Sequence, residues 1–283
     1  MGKVIMSGIV PLLQEPKPPI HVDQVLNNNS WETISQISQA GLAAQYWKAG
    51  DTKDIVINGQ VGGMTFSNLT VQAFIIGIDH NADVEGQHMI HFQIGKISGN
   101  LVGLIDNNYG SYVDTSGAFI MNPSGVSSMG WKDSHMRKTV LGSDAASALN
   151  PAANTLLAAL PAELRAVMRA ATKYSDNHGG GGNNDTYVSA TQELLPLLSE
   201  FEYFGTRKYA NSAEQNHQVQ YDYYKAGNSR VHHKHNAVSE TAHEWTRSVY
   251  ATSSGYYCRV YTDGTTDYRA ARAAQAIAPC FFV

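Results

Sequence analysis

The dipeptide Asp263-Gly264 constrains the C-terminal part of the chain more than any other feature. It follows the strand-like run Gly255–Thr262 and accepts the positive φ angles that a tight hairpin turn demands. Ala242–Ala251 reads as a preceding strand, and "IAPCFFV" as a last apolar strand at the terminus. The same region is unusually aromatic: of the 15 tyrosines in the chain, ten lie between Tyr203 and Tyr268. They stand among Ser, Thr, Gly and Asn, as in recognition loops, where rigid rings give contact area and small polar residues adapt. With Cys258 and Val260 facing inward, alternation predicts that Tyr257, Arg259 and Tyr261 share the exposed face. Tyr250 and Tyr268 fall on flanking segments. These five residues are the candidate ligand-binding site; the competing expectation is aromatic packing between strands.

Upstream, the pattern is mixed. Residues 1–22 contain Pro11, Pro16, Pro18 and Pro19, which block helix and central strand, and read as an extended apolar arm. Residues 23–283 read as one α+β domain of twisted antiparallel sheets with flanking helices. Ser30 caps a helix whose residues Ile34, Ile37, Gly41, Ala44 and Trp47 fall on one face. "DIVINGQ" predicts a strand entering an Asn58-Gly59 turn, "VQAFIIGI" an apolar strand, and "HMIHFQIGKI" a half-buried one. Gly142 and Pro161 mark a helix end and a helix start. Asp176–Asp185, with four consecutive glycines, reads as a mobile surface loop, and Ser212 with Gln215 as a capping box.

Composition and motifs narrow the function. Charged residues are 16% of the chain, below the usual quarter, and the net charge is −4 with no basic run, so no nucleic-acid footprint is present. No stretch reaches the roughly 18 apolar residues of a membrane helix, and "MGKVIMSGIVPLL" is no signal peptide. Cys258 and Cys280 lack CxxC spacing, so a cysteine zinc site is not expected, and one bridge between them is the open alternative. His233 and His235 in "RVHHKHN", or Asp79, His80, Asp83, Glu85, His88 and His91 in the next cluster upstream, could face a cation, but neither has a known ligand spacing. Glu200 and Glu202 on one face of a strand, or Glu193 with Glu214, are weak acid pairs, and no serine elbow occurs. The expectation is a non-enzymatic protein with no catalytic residue, metal or cofactor.

The segments "NNNSWETISQISQAGLAAQYWKAGDTK", "FIIGIDHNADVEGQHMIHFQIGK", "GWKDSHMR", "LPAELRAVM", "SEFEYFGTRKYAN", "QVQYDYYKAGNS", "EWTRS" and "IAPCFFV" resemble an uncharacterised C-type-lectin-like domain family. It occurs in phage and prophage virion proteins and in surface proteins of Gram-positive gut bacteria. The resemblance implies a C-type-lectin-like end built from a Trp-x-Arg-Ser strand, a small hairpin and a final strand, here at Trp245, Arg247, Ser248, Gly264, Pro279 and Phe281. Two positions depart from it: Glu244 replaces the first residue of a Trp-Trp pair, and "AIAPCFF" lacks the usual glycine and arginine. The implied function is a bacteriophage virion component, a tail or capsid decoration protein or adhesin. Its Tyr-rich surface would bind a host glycan or protein, its arm would join other virion proteins, and it would form homo-oligomers. A cement protein joining virion subunits is the alternative. An enzyme of the formylglycine-generating type, which shares the lectin-like fold, would require reactive cysteines or copper.

Overall fold

The computed structural model of the chain describes residues 21–283. The arm expected at 1–22 therefore falls outside the described residues except for His21 and Val22, and Val22 packs against the core.

Helix α1 (Trp31–Gln39) starts as expected, with Ser30 Oγ accepting the Thr33 amide at 3.0 Å and Glu32 in the first turn. Gly41 interrupts the unit, and α2 (Ala43–Tyr46) follows. The two long strands β1 (Thr52–Val61) and β2 (Met64–Ile78) form a hairpin, but its turn is Gly62-Gly63 rather than Asn58-Gly59. The latter pair is a bulge instead. Asn58 Oδ1 accepts the Asn68 amide at 3.2 Å and so satisfies a group that the interrupted ladder leaves free. Extending past the bulge buries Val61 and Phe66. Gly62 is required at the turn: its φ is 53°, and a Cβ there would lie 2.0 Å from the carbonyl oxygen of Gly117.

After the short α3 (Ala82–Glu85), β3 (Ile90–Ile97) pairs with β2 on one edge. Its other edge is shared by β4 (Asn100–Gly103) and by the C-terminal strand. This placement corrects the expectation of a half-buried strand. Ile90, Phe92 and Ile94 face α1, where Phe92 meets Trp31 and stacks on Phe281 at 5.1 Å. The alternate residues are buried as well: His91 bonds Tyr221, and Gln93 bonds Tyr203 and Tyr224. With both faces covered, alternation in polarity no longer reports exposure.

The middle of the chain is more irregular. A π-helical turn spans Met136–Leu141 and ends at Gly142; α4 is Leu156–Ala159, and α5 is Ala162–Arg165, directly after Pro161. The helical pattern stops there, and β5 (Ala171–Asp176) pairs antiparallel with β6 (Val188–Glu193). α6 (Glu200–Phe204) carries a capping box at Ser199 and Glu202. The box expected at Ser212 and Gln215 is absent: the turn is a 3₁₀ helix capped by Asn211. α7 is Asp222–Lys225. The strands β7 (His232–Lys234) and β8 (Ala237–Ala242) extend the main sheet to the order β1-β2-β3-β4-β7-β8, with β7 parallel to β4. A separate three-stranded sheet holds β9 (Glu244–Val249), β10 (Tyr256–Val260) and β11 (Thr266–Ala270), and β12 (Cys280–Phe282) pairs with β3. The chain is thus mixed α and β, with several sheets and few, short helices.

β9 is fixed to the rest by buried charge. Arg247 makes a bidentate pair with Glu202, with Nη2 at 2.9 Å from Oε1, and also donates to Ser175 Oγ and to the Leu197 carbonyl. Lys173 Nζ donates to the same Glu202 Oε1 at 2.9 Å, to Tyr221 Oη at 2.8 Å and to Glu85. All four charged side chains are buried. Burial pushes the Glu202 carboxyl upward, but Arg247 and Lys173 outweigh it and hold the group below the usual carboxylate range. Ser248 Oγ donates to Glu214 at 2.7 Å and accepts from the Glu200 amide, and Trp245 Nε1 reaches the Phe119 carbonyl.

Two tests follow from this packing. Removing one partner of a buried pair leaves an uncompensated charge and costs about 3–5 kcal/mol, whereas replacing both with apolar residues costs less. Urea unfolding should therefore show Arg247→Met as severely destabilised and Arg247→Met/Glu202→Met as the milder variant; a single variant within about 1 kcal/mol of the parent would refute this role. The second test concerns the glycine run, which is pinned rather than mobile. Asp176 accepts the amides of His178 and Gly179, and the Gly182 amide bonds the Ala251 carbonyl at 2.6 Å. A Cβ on Gly180 (φ 67°) would lie 2.4 Å from the Ser254 nitrogen, while one on Gly182 meets nothing within 4 Å. Gly180→Ala should lower stability by about 2 kcal/mol or more and Gly182→Ala by about 1 kcal/mol. Equal melting temperatures for the two would contradict the close approach.

Candidate functional site

The register of the C-terminal hairpin decides which tyrosines stand together. Tyr257 lies opposite Arg269, and Arg259 opposite Asp267; on the other face Cys258 lies opposite Tyr268, and Tyr256 opposite Ala270. Directly opposed residues share a face. The five predicted residues are therefore divided: Tyr257, Arg259 and Tyr261 belong to one face, Tyr268 and its neighbour Tyr250 to the other.

The first face is not an exposed patch. Tyr257 is fully buried; its hydroxyl donates to the Gly130 carbonyl at 2.8 Å and accepts from Asn122 at 3.2 Å. Arg259 is 6% exposed and held by Asp267 at 2.7 and 2.9 Å and by Gln275 at 2.8 Å. Tyr261, at 39% exposure, alone of the three reaches solvent extensively. The expectation that Tyr257 and Arg259 face outward is corrected because Cys258 and Val260 are buried too: β10 is covered on both sides, and strand alternation cannot separate two interior faces.

The second face holds an aromatic cluster at the surface. The rings of Tyr250 and Tyr268 stack at 4.5 Å, and Tyr256 meets Tyr268 edge-on at 5.5 Å. Tyr209 completes it, edge-on to Tyr268 at 4.9 Å and to Tyr250 at 5.7 Å, with Lys208 Nζ 4.9 Å from its ring centre. Tyr256 is exposed and the other three half-buried. Tyr209 and Tyr256 were not in the predicted set. Tyr256 belongs to the strand the sequence marks and alternates onto the face of Cys258; Tyr209 is brought in by the Glu200 carboxylate, which accepts the amides of Tyr209 and Ala210, and by a bridge between Ala210 and Tyr250.

Most other candidates are structural. Glu200 and Glu202 lie in the first turn of α6, not on a strand, and both carboxylates are taken by backbone and side-chain donors. Glu193 binds Trp131, Arg137 and Ser143, while Glu214 binds the Asp176 amide and Ser248. His233 Nδ1 lies 3.2 Å from the Leu101 carbonyl, and His235 Nδ1 accepts the Ile105 amide. In the 79–91 segment, Asn81 and Gly86 adopt turn conformations, as a polar loop requires. His80, Glu85 and Glu202 are the described residues with metal-ligand proximity, their donor atoms lying within 4.8 Å of one another. The Lys173 ammonium already sits between the two carboxylates, where a cation would bind. Cys258 and Cys280 are free and buried, and burial raises the Cys280 thiol to about 12. That is the environment of an inert thiol. Among the described residues no helix is long and apolar enough to cross a membrane.

The site and fold thus describe an α+β protein with an aromatic surface cluster on its C-terminal hairpin. Residues 116–283 match the family DUF6273, described as a domain of unknown function, and the chain belongs to it. Comparison with curated proteins and with solved structures found no match.

Buried titratable groups make stability pH-dependent. Burial lowers His80 to about 3, His235 and His243 to about 4, and His91 and His135 in the same direction. The unfolded chain takes up these protons below about pH 6.5 and the folded chain does not, so acidification destabilises. Burial raises Glu85 and Glu214 to about 7, which acts in the opposite sense, but with two groups against five. The melting temperature should fall steadily between about pH 6.5 and 4; a flat or rising profile would show that the carboxylates dominate.

Proposed function

We propose that this protein is a non-enzymatic recognition module that displays the Tyr209, Tyr250, Tyr256 and Tyr268 cluster to a host cell-surface glycan or protein, as a component of a bacteriophage virion in its tail or capsid decoration. The observation that carries the reading is the stacking of these rings at the surface rather than in the core. Tyrosine clusters supply large contact area at small entropic cost and suit both sugar faces and protein hot spots. The acid pairs considered for catalysis are consumed by structural bonds, which favours binding over chemistry. The expected association with other virion proteins and the homo-oligomeric state belong to the same proposal.

A C-type-lectin-like character for the C-terminal part is also proposed. It is supported by the succession of the Trp245-x-Arg247-Ser248 strand, the β10–β11 hairpin and the closing Pro279-x-Phe281 strand.

Tyr256→Ala and Tyr268→Ala should each weaken attachment of the isolated protein to host cells at least tenfold, equivalent to about 1.4 kcal/mol. Tyr256→Ala should leave the melting temperature nearly unchanged, since an exposed ring contributes little to the core. Unchanged attachment together with loss of the subunit from particles would instead favour the cement role, in which the same rings lie between virion subunits. Unchanged attachment and unchanged incorporation would sink both.

A further inference from the structure

On the side of β10 and β11 opposite the tyrosine cluster, Arg259 and Arg269 line a cavity of about 450 Å³, within the usual range for small-molecule sites. Its lining includes Lys234, Arg259 and Arg269 but no carboxylate. Two of these cations are committed: Lys234 pairs with Glu240 at 2.6 Å, and Arg259 with Asp267 and Gln275. Arg269 is different. It forms no ion pair among the described residues, its Nε is buried with no hydrogen-bond partner, and its guanidinium lies 4.8 Å from the Tyr112 ring centre. A second buried atom without a partner, His243 Nδ1, belongs to the same lining. Both of these atoms have almost no accessible surface, so a ligand in the cavity would be met by the terminal nitrogens of Arg269, which make no hydrogen bond to a described residue.

The rest of the wall indicates what that party is. The Tyr261 ring is exposed and lies 4.6 Å from the His243 ring, giving an aromatic surface beside the cationic one. Burial, helped by Arg259, pulls His243 down to about 4, so at neutral pH its ring is uncharged and its Nε2 either donates or accepts one hydrogen bond. The Thr241 side chain adds a hydroxyl. A free guanidinium matches carboxylate or phosphate in a bidentate manner, and an aromatic face beside hydroxyls suits a sugar ring.

The geometry points to an anion-binding subsite in this cavity for a monosaccharide-sized acidic sugar, whose carboxylate or phosphate is held by Arg269 and His243 while its ring packs on Tyr261. This subsite is separate from the tyrosine cluster and does not depend on its role.

Isothermal titration calorimetry of the full chain with glucuronic acid, glucose 6-phosphate, glucose and inorganic phosphate tests it. Both acidic sugars should bind, with glucose and phosphate each at least tenfold weaker than glucose 6-phosphate. Arg269→Gln should weaken the acidic sugars at least tenfold and melt like the parent, because Arg269 makes no ion pair to lose. If that variant melts early, Tyr261→Ala decides, since it should weaken the sugars and leave phosphate unchanged. Tyr256→Ala should bind all four probes like the parent, so failure of the tyrosine cluster and failure of this site are read separately. Absence of binding by the acidic sugars, full affinity in Arg269→Gln, or glucose binding as tightly as glucuronic acid overturns the site. Phosphate binding as tightly as glucose 6-phosphate overturns the sugar assignment.

Discussion

The bidentate contact between Arg247 and Glu202 ties β9 to the first turn of α6 through buried charge. Glu202 Oε2 accepts both the Ser199 amide that caps α6 and Arg247 Nη1 of β9, while Oε1 accepts Arg247 Nη2 and Lys173 of β5. Lys173 in turn reaches Glu85 in α3 and Tyr221 at the start of α7. One carboxylate, with Lys173 bonded to it, thus links a helix cap, two sheets and the short helices α3 and α7. Such a network is costly to desolvate and gives net benefit only when every donor and acceptor is paired. Here both Glu202 oxygens are taken, and two further guanidinium protons of Arg247 go to Ser175 and Leu197, so the pair is nearly saturated. The arrangement accounts for three neighbouring residues at once: Trp245, Arg247 and Ser248 point to three different buried acceptors, so the Trp-x-Arg-Ser strand is an anchoring device rather than a ligand pocket.

That anchoring matters for how the DUF6273 segment relates to the residues before it. The matched region begins at residue 116, yet its last strand pairs with β3, which lies upstream. Phe281 packs between Phe92 and Trp31, and Ser38 Oγ in α1 donates to the carbonyl oxygen of Val283 at 2.7 Å. The upstream sheet and helix therefore supply the partner surface for the end of the chain, and a single hydrophobic cluster runs from Leu26 to Val283.

Local chemistry was legible where it acts alone. The Ser30 cap, the Pro161 start, the Gly142 stop, the Asp263-Gly264 hairpin and the closing apolar strand each follow from a few adjacent residues, and each is present. Apart from the Ser212 capping box and the strand expected at Glu200 and Glu202, what failed shared one cause: inferences from pattern to exposure. Polar residues in β3 implied a wet face, and Tyr257 and Arg259 implied an open one, but large polar side chains from distant segments meet them inside. The four glycines implied freedom, whereas distant backbone at Ser127 and Ser254 presses on that loop and makes the missing side chains a steric requirement. The Asn58-Gly59 bulge belongs here too, because only the burial of Val61 and Phe66 beyond it decides between turn and bulge. For the candidate site, Tyr250 and Tyr268 stand on one face and Tyr261 on the other, and Tyr209 is joined to the first two by Glu200, a contact no spacing rule contains.

The hairpin brings these threads to one place. Because opposed residues share a face, a single register separates its side chains into two chemically distinct sets only a strand's thickness apart. One set contributes Tyr256 and Tyr268 to the cluster with Tyr209 and Tyr250; the other places Arg259 and Arg269 toward a cavity, with Asp267 balancing only the first. A shift of one residue in the β10–β11 pairing would turn each set to the opposite side, mixing rings with guanidinium groups and burying Tyr268. The register is therefore fixed from both sides: Tyr257 is bonded inward to Gly130 and Asn122, and Thr266 is bonded to Glu200 in α6. The same carboxylate that carries Tyr209 into the aromatic cluster thus also holds the strand that presents Tyr268, so the placement of the surface rings is inherited from buried acids rather than from the rings themselves.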